Sequence, residues 1–107
     1  MANAFKNAGV QVGTSRTTLY TCPSGTEAVI HALYVSNVDG ANNADVDIEI
    51  TIDGGTTYRY IGKTIPVPAD STLVLDKPIN LEANDVLALT ASAASDIEAV
   101  ASVLEIT

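Results

Sequence analysis

The chain has 107 residues, 47% of them hydrophobic, which is enough for one domain around a single core. Its formal net charge is −8, and its five basic residues do not form the positive patch that a phosphate backbone or an anionic membrane surface requires. These properties exclude a disordered tail and argue against binding to nucleic acid or to a membrane.

Cys22 is the only cysteine, so no disulfide can form within the chain, and nothing in its use indicates an oxidising compartment. The opening residues MANAFKNAG lack the apolar core of a signal peptide. No stretch is apolar over the roughly 20 residues that a membrane-spanning helix needs. We therefore expect a protein that folds in a cytosol.

The first 15 residues are small and polar, and they predict an extended N-terminal arm, residues 1–15, in front of one domain, residues 16–107. Phe5, Val10 and Val12 are the apolar side chains that would anchor such an arm. Two interpretations remain open, a frayed terminus and an arm that pairs with a neighbouring subunit.

The central part of the chain begins with a strand at residues 17–22 and a Pro-Ser-Gly turn. Residues 27–37 then form a run that is apolar in both phases of a strand. Such a run is typical of a central strand that is covered on both faces. We expect Tyr34, within this run, to fill the core.

A second β-rich run follows after a turn of Asp, Gly and Asn residues. The alternate apolar residues from Val46 to Ile52 fall on one face, while Asp47 and Glu49 fall on the other. Successive strand side chains point to opposite faces, so this alternation predicts a half-buried strand whose acidic face is solvated.

Three further segments read as strands, at residues 56–65, 71–76 and 86–93, and residues 79–81 lead into a turn at residues 82–85. Pro66 and Pro68 have no amide hydrogen to donate, which predicts a sheet edge or a crossing between sheets. Residues 95–107 match both a helix with a capping box and an alternating strand. We predict a closing strand there, with a helix as the alternative.

About eight short antiparallel strands with turn signals every eight to twelve residues predict an all-β fold. We expect a single β-sandwich with a jelly-roll or Greek-key-like arrangement.

The candidate catalytic and metal-binding residues have no partner residues at the spacing that a catalytic or metal site needs. His31, the one histidine, lies among apolar residues, and Cys22 carries no nucleophile signature. The acidic loop from Asp39 to Asp47 fails the EF-hand spacing, because position twelve counted from Asp39 is Ile50 where a glutamate is needed. We predict no catalytic residue, no cofactor and no metal ligand, with a looser Ca²⁺ site in that loop as the alternative.

The tyrosines are the residues that best fit an interaction surface, since an aromatic ring with a polar tip suits protein contacts or stacking on sugars. The chain has no tryptophan for a sugar platform, which favours protein contact. Together with the arm residues, they give a candidate interface of six side chains: Phe5, Val10, Val12, Tyr20, Tyr58 and Tyr60.

Residues 20–37, YTCPSGTEAVIHALYVSN, resemble a pattern of small structural proteins of tailed phages, especially marine and cyanobacterial ones. Residues 77–87 fit the same group, except that Asn84 stands where a Gly-Asp turn is more usual. The closing residues 103–107, VLEIT, are also similar. The likeness covers the chain from about residue 17 to 107, and it consists of turn and strand signals.

This resemblance implies a non-enzymatic virion protein, made in the host cytoplasm and built into the particle. Its partners would be the major capsid protein or other virion proteins, and it would form a homo-oligomer such as a trimer. A capsid decoration (cement) protein on the outer shell is the first expectation. A tail, neck or fibre-associated module and a carbohydrate-binding β-sandwich are the alternatives.

Overall fold

A computed structural model describes residues 2–107, so that Met1 of the predicted arm lies outside the described residues. The described residues contain nine strands: β1 (Asn3–Val12), β2 (Thr17–Thr21), β3 (Glu27–Asn37), β4 (Ala44–Thr51), β5 (Tyr58–Val67), β6 (Thr72–Leu75), β7 (Ile79–Leu81), β8 (Val86–Ala91) and β9 (Ile97–Ile106).

The strands form two antiparallel sheets. Sheet A has the order β1-β9-β3-β6, with β7 also paired to β3, and sheet B has the order β2-β8-β4-β5. The first half of the chain therefore pairs with the second half in reverse, β1 with β9, β2 with β8, β3 with β7 and β6, and β4 with β5. The predicted β-sandwich is confirmed, and the closing segment is a strand. Residues 3–12 of the predicted arm form the strand β1, and residues 79–81, expected to lead into a turn, form the short strand β7.

The core lies between the sheets and consists of branched aliphatic side chains and alanines. Val46 and Ile48 of β4 are at most 1% exposed, which confirms the phase expected from the alternation. They pack against Leu87 and Leu89 of β8 in the same core cluster. Ile52, expected in the same row, is 64% exposed because β4 ends one residue earlier.

Asp85 holds the loops at one end of the sandwich together. Its carboxylate accepts the backbone N–H of Gly54 at 2.9 Å and that of Glu82 at 2.9 Å. Gly54 and Gly55 have φ of 83° and 102°, a left-handed backbone that glycine adopts without strain. This buried acid thereby fixes the turn between β4 and β5 to the turn before β8.

The expectation that β3 is covered on both faces is wrong for the single chain. One phase of β3, including Ile30 and Leu33, is buried against sheet B. Tyr34, expected in the core, lies in the other phase and is 41% exposed. Sheet B covers only one side of sheet A, so the second apolar phase of β3 remains on the outer surface.

Candidate interaction surfaces

Face A is the outer surface of sheet A, and it carries a band of apolar side chains. The cross-strand registers place Tyr34 beside Val74 of β6 on one side and beside Val100 of β9 on the other. Residues directly opposite one another in a sheet share a face, so these three form one row. All three are between 41% and 48% exposed.

A second apolar row crosses face A near its β1 edge. Phe5 lies opposite Leu104 of β9, and Leu104 lies opposite Val29 of β3. Leu104 and Val29 are half-buried, whereas Phe5 is 82% exposed. Face A is therefore an apolar surface that spans the sheet from β1 to β6.

His31 also lies at face A, at a bulge in β3. The register of β3 against β9 shifts between Ile30 and Ala32, which makes His31 the extra residue. Its side chain is exposed, and its ring centroid is 6.4 Å from that of Phe5. The bulge thus directs the imidazole towards the aromatic end of face A.

Face B is the outer surface of sheet B, and an ion pair between exposed Arg16 and buried Glu49 lies at its centre. Arg16 donates from Nε and Nη2 to the two carboxylate oxygens of Glu49, at 3.2 Å and 3.1 Å. The Glu49 side chain is only 7% exposed, so the prediction of a solvated glutamate is wrong. The hydrogen bonds to Glu49 raise the pKa of Arg16, and its guanidinium lies 3.7 Å from the Tyr58 ring centroid.

Two further charged side chains of face B, those of Asp47 and Lys63, also have contacts within the chain. Asp47 accepts the backbone N–H of Thr64 at 2.7 Å, which holds Thr64 at its positive φ of 54°. The ammonium of Lys63 lies 5.7 Å from the Tyr60 ring centroid. Face B is therefore a polar surface whose charges are largely paired by neighbouring strands and loops.

The six residues of the candidate interface are spread over the molecule. Phe5 lies on face A, and Tyr60, which is 54% exposed, lies on face B. Tyr58 lies on face B beneath Arg16. Sequence reasoning missed Val74 and Val100, although the alternation of β6 and β9 places both on the outer phase.

The other three candidate residues point between the sheets. Val12 is fully buried in the core, and Val10 is half-buried against it. The Tyr20 hydroxyl donates to Glu105 at 2.6 Å, linking β2 of sheet B to β9 of sheet A. Burial, with a smaller contribution from Glu105, raises the pKa of Tyr20 well above its usual range.

The acidic loop after β3 uses its carboxylate oxygens locally. Asp39 accepts the backbone N–H of Ala41 at 2.8 Å and the side-chain amide of Asn42 at 3.2 Å. These bonds, the Ala41 bond first, lower the pKa of Asp39. Among residues 2–107, no three His, Cys, Asp or Glu side chains lie together as metal ligands would.

Cys22 and the surface depressions offer little reactive chemistry. The Cys22 thiol is fully buried, and this burial raises its pKa, which keeps the thiol protonated. A depression of about 360 Å³ is lined by residues that include Thr26, Glu27 and Glu82, and its lining holds no histidine, cysteine or lysine.

The described part of the chain contains no helix of the length and apolarity needed to cross a membrane.

Comparison with known proteins gives a likeness in fold. No family model and no curated protein matches the sequence. A chain of the acid-stable capsid structure of Helicobacter pylori bacteriophage KHP30 superposes with a TM-score of 0.55 and 16% identity, over 100% of this chain and 89% of that one. A pentameric capsid protein from metagenomic phage sequences gives 0.48 and 22% identity, over 92% of this chain and 59% of that one.

Proposed function

We propose that the chain is a structural protein of a tailed-phage virion, and within that class a capsid decoration protein that binds the outer shell. The observation that carries this proposal is the fold shared with a chain of the KHP30 capsid structure over the full length of this chain. The phage-like stretches at residues 20–37, 77–87 and 103–107 support it independently, because they rest on sequence.

The strand order supports the same class of protein. Pairing of the first half of the chain with the second half in reverse, divided between two sheets, is the connectivity of a jelly roll. We infer that this sandwich is one, with the strand that pairs with β3 divided into β6 and β7. Jelly rolls recur in viral capsid domains, although a fold alone does not define a function.

Face A is the surface we assign to the shell. The charges at the centre of face B are already paired within the chain, whereas no sheet of the described residues covers the two apolar rows of face A. Burying apolar area against a partner is favourable by about 25 cal/mol per Å² before the costs of association. Face A is therefore the outer surface with the most to gain from contact.

The decisive experiment is an inventory of purified particles by mass spectrometry and cryo-electron microscopy. We expect this chain at high copy number with density on the outer shell. Density at the tail or neck would favour the tail-associated alternative and contradict the decoration role. Absence of the chain from the particles would contradict a virion role altogether, and a glycan-binding screen would then test the carbohydrate-binding alternative.

A binding assay tests the assignment of face A. Shells that lack the chain are mixed with the purified protein, and the bound fraction is measured by co-sedimentation. We expect the double variant Tyr34→Ser and Val74→Ser to lose at least tenfold in affinity. Tyr60→Ser, on face B, is the matched control and should bind like the wild type. Equal binding by both variants would show that face A is not the contact.

A further inference from the structure

Edge strands expose unpaired backbone groups, and folded proteins protect them with proline, bulges, charge or short length. Within residues 2–107 the sandwich has edges at β1, β2, β5 and the pair β6 and β7. β5 contains Pro66 and two register shifts. β2 has five residues and a register shift, and β6 and β7 have four and three residues with Pro78 between them.

β1 is the exception among these edges. It has ten residues and pairs with β9 in unbroken register from Asn3 to Val12. It contains no proline, and Lys6 is its only charged residue. The edge of β1 that faces away from β9 is therefore long, regular and nearly uncharged, which are the properties of a strand that accepts another strand.

The ladder at the end of the chain shows which backbone groups of β1 are open. Ala2 and Thr107 exchange both backbone hydrogen bonds, at 3.1 Å and 2.9 Å, so the N–H and C=O of Ala2 point towards β9. These groups alternate in direction along a strand. The residues of β1 that direct them to the open edge are therefore Asn3, Phe5, Asn7, Gly9 and Gln11.

We propose that β1 pairs antiparallel with β1 of a second copy, about a two-fold axis through Asn7. Asn7 then faces Asn7 of the second copy, Phe5 faces Gly9 and Asn3 faces Gln11. This register pairs every residue of β1 that directs its backbone groups to the open edge. The contact is self-complementary, as a two-fold interface must be, and sheet A becomes continuous across the dimer.

Side-chain packing favours this register over its neighbours. Phe5 is 82% exposed, and Gly9 leaves a gap beside Val100, whose Cγ2 would lie 3.8 Å from a Cβ at Gly9. In the proposed register the Phe5 ring of one copy covers Gly9 and Val100 of the other, an aromatic side chain over a strand glycine. A shift by two residues places Phe5 opposite Asn7 or Gln11 instead.

Charge explains why two copies of an acidic protein meet at this edge. The chain carries a net charge of −8, yet its first acidic residue is Glu27. Residues 1–26 contain two basic residues, Lys6 and Arg16, and no acid. β1 therefore brings no acidic side chain of its own to the contact, and the acids opposite it, Glu98 and Glu105 of β9, lie one strand further from the edge, which limits the repulsion between the copies.

Cysteine cross-linking tests the register. In an antiparallel pair, opposed Cα atoms lie about 5.5 Å apart, which is within the range that a disulfide spans. We expect Asn7→Cys to form a disulfide-linked dimer on mild oxidation, read on a non-reducing gel. Gln11→Cys is the matched control on the same face and strand, because its two copies lie roughly 25 Å apart in this register and should not link.

The buried Cys22 is present in both variants and in the wild type, which controls for its reactivity. Linking of Gln11→Cys as fast as Asn7→Cys, or no linking of Asn7→Cys, would overturn the register.

A proline variant tests the pairing itself. Asn7→Pro removes an N–H that points to the open edge and leaves the bonds between β1 and β9 intact. By light scattering we expect twice the 11.1 kDa chain mass for the wild type and the single mass for Asn7→Pro, with unchanged circular dichroism.

A wild type that is monomeric or trimeric at every concentration, or a dimeric Asn7→Pro, would overturn the proposal. A monomeric chain whose β1 pairs with a strand of a different protein would also overturn the proposal. None of these measurements uses phage particles, so their failure is separate from failure of the proposed function.

Discussion

Faces A and B are the two outer surfaces of one sandwich, and they differ in how their side chains are satisfied. On face B the central carboxylate of Glu49 has both oxygens bonded to Arg16, and Asp47 is bonded to a backbone N–H. On face A the rows through Tyr34 and Phe5 consist mainly of apolar side chains that are partly exposed. A surface that completes its own contacts suits solvent, whereas an apolar surface gains from being covered.

The largest expected effect is a difference in stability between a core substitution and a substitution on face A. Ile48→Ala should lower the free energy of unfolding by about 2–5 kcal/mol, because Ile48 is fully buried and the substitution leaves a cavity. Tyr34→Ala should cost below about 1 kcal/mol, because its side chain is 41% exposed in the single chain. Urea unfolding measures both, and a cost for Tyr34→Ala equal to that of Ile48→Ala would make face A part of the folding core.

The ion pair of face B should respond asymmetrically to substitution. Arg16→Met leaves the Glu49 carboxylate buried without its partner, whereas Glu49→Gln leaves an arginine that is 48% exposed and reaches water. We therefore expect Arg16→Met to lower the urea midpoint more than Glu49→Gln, and less than Ile48→Ala does. The reverse order would mean that the glutamate is solvated, as the alternation of β4 alone predicts.

A smaller effect tests the hydrogen bond that joins the two sheets. Tyr20→Phe removes the bond to Glu105 and should lower the free energy of unfolding by about 1 kcal/mol. Tyr60→Phe is the matched control, because Tyr60 is 54% exposed on face B and should change stability by less than half as much. Equal losses for the two variants would show that the link between the sheets contributes nothing beyond the ring.

The smallest effect concerns acid stability of the hairpin that joins β4 and β5. Asp53 accepts the N–H groups of Thr57 at 3.0 Å and Thr56 at 3.1 Å, and these bonds, that of Thr57 first, lower its pKa. The folded state therefore binds this proton less readily than the unfolded chain, whose aspartate pKa is about 3.9. The contribution of Asp53 is present above about pH 4 and is lost as the pH falls through its lower folded pKa.

Asp53→Asn keeps an acceptor oxygen but does not titrate. Urea unfolding at pH 5, 4 and 3 should show a shallower loss of stability for Asp53→Asn than for the wild type. Identical slopes would show that the turn does not favour the ionised carboxylate.

The elements were predictable from the sequence where a local pattern decides them. The alternation of β4 gave the inward phase of Val46 and Ile48, and the alternation of residues 97–106 outweighed the competing helical spacing. The alternation of a strand predicts which side chains share a face, but it does not predict which other residues cover that face. The alternation of β4 predicts a solvated Glu49. Arg16 lies 33 residues away in sequence, and no local pattern indicates that its side chain covers this glutamate.

On face A the error is the reverse, because side chains that the sequence predicts to be buried are exposed. Residues 27–37 are apolar in both phases, as in a strand covered on both sides, but within residues 2–107 sheet B covers one side only. The pattern is explained if the second cover comes from another molecule, which the sequence of one chain does not contain.

The pairing of β1 with β9 also governs how the molecule reaches its fold. Asn3 lies opposite Ile106 and Val12 lies opposite Ile97, so these contacts join the two ends of the described chain. β9 also lies between β1 and β3, so sheet A is incomplete until β9 has paired with both of them. A hairpin such as β4 and β5 forms within about 10 μs, whereas folds dominated by distant pairings take milliseconds to seconds. Refolding should therefore be slow, with insertion of the last strand as its limiting step.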